Sequence, residues 1–400
     1  MSPQNTADHE STAHLQLQAW LNLCISLNAS DLHLSVGEPP FLRREGRLQR
    51  VEDQPPIQSH QIKAIVEVLT RTIGLSDLER RGAIDGAVSG QDGGRFRFNV
   101  FLRQNELSVA IRRLEDKIKS LDQLGLPNSL YSLSELPDGL VIVAGPTGSG
   151  KSTTLATLVD RINQTRPLHI ITIEDPVEYL HPSRLSLVQQ RQLGLDCPSF
   201  DDALVASLRQ DPDVILVGEI RDLTTIRTAI TAAETGHLVF TTVHAADSTG
   251  VIERITSVFP AEEQSGVRRQ LALVLRAVIA QQLLVADGSA VAADVRKGES
   301  NVARRVVCSE ILQVNPAVAN LVAVGKSNQL YSAIESGAAA GMQTRDQDLA
   351  RLLQAGMISE RTAMAYAKNP SVVQDRLTRL RNRAANTAAN GNSVVGVSRP

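Results

Sequence analysis

The chain has 400 residues, 42% hydrophobic and 21% charged, with 41 basic residues set against 43 acidic ones. That length predicts two domains rather than one core, and the formal net charge of -2 argues against a protein that lives on nucleic acid, which shows a basic balance. The three cysteines, Cys24, Cys197 and Cys308, form no C-x-x-C pair, which argues against a zinc ribbon or a secreted disulfide framework and fits a reducing compartment.

Residues 1–13 are polar, lack an apolar signal core and are expected to form a disordered tail. Residues 14–113 alternate strand and helix signals. Leu32–Val36 and Phe41–Arg43 read as strands, Gln61–Thr72 as a helix, and Arg95–Leu102 as a half-buried strand with Phe96, Phe98 and Val100 inward. This predicts a small α+β domain, followed by a linker over 114–138 rich in turn signals, including Gly125, Pro127 and Pro137. From Gly139 four short apolar runs recur between helical segments: Leu140–Ala144, His169–Ile173, Val214–Val217 and Leu238–Thr242. That pattern predicts an α/β domain over 139–370 with a parallel sheet covered on both faces, whose ligands gather outside the carboxyl ends of the strands. Residues 371–400 are expected to be a mostly disordered extension. No stretch approaches the ~20 apolar residues needed to cross a bilayer. A cytoplasmic protein that reaches membranes only through a partner is therefore expected.

Each of the four runs leads into chemistry. After the first comes Gly145-Pro146-Thr147-Gly148-Ser149-Gly150-Lys151-Ser152-Thr153, the P-loop pattern G-x-x-x-x-G-K-S. Its glycines let backbone N–H groups curl around phosphates, and the helix that follows turns its positive end toward them. Lys151 is expected at the β- and γ-phosphates and the Ser152 hydroxyl on Mg²⁺. After the second run, Glu174, Asp175 and Glu178 place three carboxylates at the mouth of the sheet, where they would orient the attacking water and hold metal-bound waters. The third run is flanked by Asp213 before it and Glu219 after it. Only Glu219 stands at the carboxyl end, so it is the candidate for the metal's outer shell, and Asp213 is read as a capping or turn residue. The fourth run ends at His244, read as a sensor of phosphate state. His237, just before that run, stays open between a structural and a ligand-binding role.

The four segments GPTGSGKST, IEDPVEY, LRQDPDVILVGEIRD and TAAETGHLVFTTVHAADS resemble, in order and at family spacing, the Walker A, Asp box, Walker B and His box of the type II/IV secretion ATPase family. The resemblance runs from about Ala29 to about Pro370. It implies an N-terminal PAS-like domain, a RecA-like P-loop ATPase domain with C-terminal helices, and a homohexameric ring using ATP and Mg²⁺. It puts the catalytic glutamate at Glu178 and the Walker B glutamate at Glu219. Arginines supplied by the neighbouring subunit's N-terminal domain match Arg97 and Arg112; Arg209 and Arg221 are left with structural or interface pairing roles.

Within the family the likeness is to the type IV pilus retraction branch, of PilT/PilU type. Ile334–Gly337 running into Gly341-Met342-Gln343-Thr344 looks like that branch's C-terminal region, and Leu284–Cys308 carries one cysteine where extension and secretion members carry a four-cysteine zinc module. The branch implies pilus retraction and twitching motility, an inner-membrane platform protein as partner, a related pilus ATPase as another, and no nucleic acid. One departure is Ala317–Val324, which keeps the apolar face of the branch's A-I-R-N-L-I-R-E helix and loses its charges. A pilus-extension or type II secretion ATPase, a RecA-like nucleic-acid motor and a non-hydrolysing nucleotide switch stand as alternatives.

Overall fold

Alternation of buried and open positions along residues 95–101 of the strand Arg95–Arg103 (β5) puts Phe96, Phe98 and Val100 on one face of a sheet. The computed structural model, which describes residues 3–44, 47–71, 73–91, 94–114, 117–289 and 305–378, builds the first unit around that face. Its antiparallel sheet contains Asp31–Ser35 (β1), Phe41–Arg44 (β2), Arg47–Arg50 (β3), Ala83–Ser89 (β4), β5 and Glu106–Arg113 (β6), in the order β3-β2-β1-β6-β5-β4. Three helices accompany it: Pro3–Ser26 (α1), Ser59–Thr70 (α2) and Ser76–Arg81 (α3). Helix α1 buries Ala13, Leu17, Trp20, Leu21 and Cys24, a one-sided stripe that joins Ile62, Ile65 and Leu69 of α2 and the β5 phenylalanines in one core. Residues 3–13, expected as a tail, are instead the opening turns of α1. The predicted strands and helix of this domain are all found within a few residues of their expected bounds.

The second unit starts at Lys119. The expected linker 114–138 is therefore divided, because Leu121, Leu126, Leu130 and Leu133 are apolar enough to be drawn into the second core. They sit on a short helix, Leu121–Leu124 (α4), and a 3₁₀ helix, Asn128–Ser134. The sheet here has seven strands: Gly139–Ala144 (β7), His169–Glu174 (β8), Leu187–Gln192 (β9), Val214–Val217 (β10), Leu238–Val243 (β11), Leu275–Val285 (β12) and Arg305–Gln313 (β13), ordered β13-β12-β7-β11-β10-β8-β9. Strands β12, β7, β11, β10 and β8 run parallel, and β13 returns antiparallel along β12. Every residue of β7, β10 and β11 is buried, as expected for strands covered on both faces.

The helices of this unit are Lys151–Thr165 (α5), Phe200–Ser207 (α6), Leu223–Glu234 (α7), Ser248–Ser257 (α8), Ala261–Val274 (α9), Pro316–Ala323 (α10), Leu330–Ser336 (α11), Arg345–Gln354 (α12) and Glu360–Tyr366 (α13). The altered segment Ala317–Val324 forms α10 and its end; it buries Val318 and Val322. Residues 370–378 are also helical and bury Val373 and Leu377 in a C-terminal cluster with Cys308 and Leu349, so the expected disordered extension does not begin at 371; 379–400 lie outside the described residues. So do 290–304, the middle of the segment that carries a single cysteine. All three cysteines are free and buried.

The pieces Glu174–His181 and Arg191–Pro198 belong to the first unit, although they lie in sequence inside the expected ATPase domain.

Candidate nucleotide site

The P-loop occupies the six residues between the end of β7 and the start of α5. Its first residue, Gly145, donates its N–H to the Val243 carbonyl at 3.3 Å, which ties the loop to the end of β11. A side chain at Gly145 is excluded twice: φ is +150°, and a Cβ would stand 2.3 Å from the Gln281 carbonyl oxygen. Gly150 has φ +88° and caps α5, turning the chain so that the first helical amides face the loop. Pro146, Thr147 and Gly148 are open to solvent, Ser149 and Lys151 are buried, and Ser152 and Thr153 are half-buried. The Lys151 Nζ donates to the Gly145 and Pro146 carbonyls, both at 3.1 Å. An ammonium held inside the loop is the group a polyphosphate meets there.

Glu219 follows β10 by two residues. The Gly218 N–H donates to Ile173 at 2.8 Å, the Gly218 carbonyl accepts from the Thr242 hydroxyl at 2.6 Å, and the Ile220 N–H donates to Thr242 at 3.2 Å. These bonds to both neighbouring strands fix the turn that carries the carboxylate. Its oxygens face the Arg221 guanidinium at 2.7 Å and the His244 Nε2 at 3.5 Å. Burial and the positive charge of Lys151 lower the His244 pKa, and the Glu219 carboxylate offsets part of that. The imidazole is thus neutral near pH 7, able to accept or donate one hydrogen bond according to its tautomer. P-loop, Glu219 and His244 therefore meet at the carboxyl ends of β7, β10 and β11, as the sequence order required.

The residues that the sequence offers to Mg²⁺ are the half-buried Ser152 and Glu219. No cluster of three or more His, Cys, Asp or Glu side chains able to cage a metal occurs among the described residues. Such a sparse set fits Mg²⁺, which keeps several waters and is held largely by substrate phosphates.

Gln281, which the sequence motifs do not include, makes two side-chain hydrogen bonds to the P-loop and the start of α5. It is 3% exposed on β12. Its amide N–H donates to the Ser149 carbonyl at 2.7 Å, and its Oε1 accepts from the Thr154 hydroxyl at 2.9 Å. The only available signal was a polar Gln281-Gln282 pair inside an apolar run.

Glu174, Asp175 and Glu178 lie in the piece that belongs to the first unit. Val177 and Tyr179 are buried with Glu178 exposed between them, and Asp175, ahead of both, is exposed too. The piece is held by Leu193 N–H to Glu174 carbonyl at 2.9 Å and by Val177 N–H to the Gln192 side chain at 3.4 Å. Glu174 also lies beside Arg95, whose guanidinium pKa is lowered by burial and partly restored by that carboxylate.

Arg97 and Arg112, on adjacent strands of the same unit, stand directly opposite each other in register. Like charges so placed repel. Asp85 at 3.5 Å from Arg97 and Asp31 at 2.8 Å from Arg112 balance them. Both guanidinium groups stay largely exposed.

His237 is a correction. It precedes β11, at the opposite end of that strand from His244, roughly 20 Å away at strand rise, and its Nδ1 is engaged with the Ala232 carbonyl at 2.9 Å. It cannot touch a nucleotide on this chain's own P-loop, and serves to close the turn after α7. Asp213 is the expected turn residue, accepting from the His169 N–H at 2.8 Å. Arg221 pairs with Glu219, and Arg209 is exposed.

Residues 6–369 match the family described as Type II/IV secretion system protein. The chain is 42% identical over 342 residues to the type IV pilus retraction ATPase PilT of Pseudomonas aeruginosa, covering 86% of this chain and 95% of that one. It is 37% identical over 354 residues to the type IV pilus ATPase PilU of the same organism, covering 88% and 89%. Its fold matches a crystal structure of the pilus retraction motor PilT with bound ADP at a TM-score of 0.79 and 39% identity, covering 88% of this chain and 97% of that one.

Proposed function

The chain belongs to the type II/IV secretion system protein family and is a PilT-like pilus retraction ATPase, and from that premise we propose that it works as a hexameric, Mg²⁺-dependent motor of twitching motility. The observation that carries this is the convergence of an ordered P-loop, Glu219 and His244 at one sheet edge in a chain 42% identical to PilT over most of its length.

In this motor the P-loop amides and Lys151 hold the β- and γ-phosphates. Ser152 and Glu219 would hold Mg²⁺, which would neutralise phosphate charge. Glu178 positions the attacking water. Arg97 and Arg112 of an adjacent subunit stabilise charge in the transition state, a contribution of roughly 10³–10⁵ in rate. His244 reads the presence of the γ-phosphate through Glu219. The work is delivered through a platform protein at the inner membrane, the partner the likeness to the pilus retraction ATPase PilT suggests.

The test is phosphate release by the full-length protein with ATP and Mg²⁺, beside Glu178→Gln, with the mass in solution recorded in the same buffer. Turnover by a hexamer that is lost in the variant, together with loss of twitching in a deletion strain, is the expected result. Turnover unchanged in Glu178→Gln removes Glu178 from its role. Nucleotide binding without turnover favours a regulatory switch, DNA-stimulated turnover a nucleic-acid motor, and loss of pilus assembly in the deletion strain an extension motor.

A further inference from the structure

The loop after His244 is held at three successive residues by side chains from the C-terminal third of the chain. Arg345, the first residue of α12, donates to the Ala246 carbonyl. Lys368 donates from Nζ to Asp247 Oδ2 at 2.8 Å. Glu310 of β13, 2% exposed, accepts from the Ser248 N–H at 2.8 Å. Asp247 is at the same time the N-cap of α8, its Oδ1 accepting from the Gly250 N–H at 2.8 Å. Burial pushes the Asp247 carboxyl up, but Lys368 and the Gly250 N–H outweigh it and hold the group below the usual carboxylate range, hence charged.

Two of these contacts close into a ring. Asp346, next to Arg345, is fully buried. Its carboxylate accepts from the Lys368 N–H at 2.8 Å, the Asn369 N–H at 3.1 Å and the Tyr331 hydroxyl at 2.7 Å. Neighbouring residues 246 and 247 are thus joined through 345 and 368 to the buried Asp346. Arg345 also lines, with Pro146, His244, Ala245, Ala246 and Gln281, a cavity of about 290 Å³ beside the P-loop. The segment Gly341–Thr344 that precedes α12 is itself fastened to β13, through Gln343 to Ser309 at 2.9 Å and a backbone pair with Ile311. The Asp346 end of this circuit is buried, while the Arg345 and Lys368 contacts on the loop are open to solvent; chains of hydrogen bonds and ion pairs with two arrangements are what carry coupling between sites.

We propose that Arg345 and Lys368 are positioning residues forming a two-point latch between the His244 loop and helices α12 and α13, through which the nucleotide state at the P-loop sets the state of those helices. This rests on the ATPase assignment and adds to it a named route from the phosphate sensor to the C-terminal helices.

The experiment is hydrogen exchange of the full-length protein with Mg²⁺ and either ADP or a non-hydrolysable ATP analogue, read separately on peptides covering 145–155 and 345–366. Lys368→Met removes the charge from a half-exposed side chain, Lys368→Arg keeps it, and Arg345→Ala removes the second point. In the unaltered protein, exchange over 345–366 is expected to differ between the two nucleotides by at least about fivefold, the lower end of a typical coupling between sites. Lys368→Met and Arg345→Ala should abolish that difference while Lys368→Met keeps the response at 145–155, and Lys368→Arg should retain both. Persistence of the 345–366 difference in Lys368→Met and Arg345→Ala overturns the latch, as does its absence from the unaltered protein when 145–155 responds. No response at 145–155 in the unaltered protein is instead a failure of the ATPase assignment. Loss of twitching in Lys368→Met with phosphate release retained is the corresponding result in cells.

Discussion

Replacing Gln281 by leucine keeps the volume of a buried side chain and removes both of its hydrogen bonds to the P-loop region. The Thr154 hydroxyl retains a second partner, the Gly150 carbonyl at 3.3 Å, so its loss is small. The Ser149 carbonyl loses the 2.7 Å bond from Gln281 in a residue only 2% exposed. Leaving one buried acceptor unsatisfied costs about 1–3 kcal/mol. The P-loop relieves that cost by moving the carbonyl toward water, which displaces the neighbouring amides from the geometry a phosphate needs. Nucleotide binding must then restore the order, so ATP affinity is expected to fall by about five- to a hundredfold, at 1.4 kcal/mol per factor of ten. Titration of a fluorescent ATP analogue against the unaltered and Gln281→Leu proteins measures this directly, with thermal melting run in parallel. Gln281→Glu should weaken binding at least as much, because a carboxylate cannot donate to the Ser149 carbonyl. Unchanged affinity in Gln281→Leu, with melting also unchanged, would refute the assignment of Gln281 as the support of the loop.

Gly145→Ala places a methyl 2.3 Å from a backbone oxygen at φ +150°; strain of about 1–3 kcal/mol should lower nucleotide affinity by about five- to a hundredfold, measured in the same titration. Asp222 caps α7 through the Thr225 N–H at 2.8 Å, and Asp222→Ala should cost about 1 kcal/mol in chemical denaturation. Burial raises its pKa, but the hydrogen bonds from Thr224 and Thr225 outweigh it and leave the folded value below 3.8. The deficit of the alanine variant is therefore full above about pH 4 and shrinks as the pH falls through the folded pKa; Asp222→Asn, which caps without titrating, should show the same trend at a smaller deficit, so that the gap between the two variants stays constant with pH. Arg97→Ala should lower turnover by about a thousandfold with far less effect on ATP binding, and a monomeric form with full turnover would argue against any arginine supplied in trans. Arg112→Ala removes the 2.8 Å partner of the nearly buried Asp31 carboxylate and should destabilise the first domain by about 1–3 kcal/mol. Adding Asp31→Asn should recover much of that stability in thermal melts without recovering turnover, which separates folding from catalysis.

The parts of this molecule that could be read from the sequence are those in which one short segment contains its own cause. The β7–P-loop–α5 unit is such a segment, because glycine positions, the lysine and the flanking apolar strand all lie within Leu140–Thr165. Alternation along Arg95–Arg103 gave its buried face in the same way. What escaped was set by pairing across long separations. Gln281 is 132 residues from the carbonyl it supports, and β12 carries polar residues that break a clean apolar run. His237 was drawn toward the site by its nearness in sequence to His244, yet a strand carries direction, and β11 sends the two histidines to opposite ends. The tail at 1–13 and the linker at 114–138 were judged by composition, whereas Ala13 and Leu121 each extend an apolar stripe whose partners lie far along the chain. The same reasoning makes the ring of Ala246, Arg345, Asp346, Lys368 and Asp247 invisible to any motif. Its members come from two stretches about a hundred residues apart, and each alone is an ordinary helix cap or surface charge. The ring adds to the buried Glu310–Ser248 contact a two-point tie between the His244 loop and the C-terminal third of the chain, so the proposed link from phosphate sensing to the C-terminal helices resides in the tertiary structure rather than in any contiguous segment.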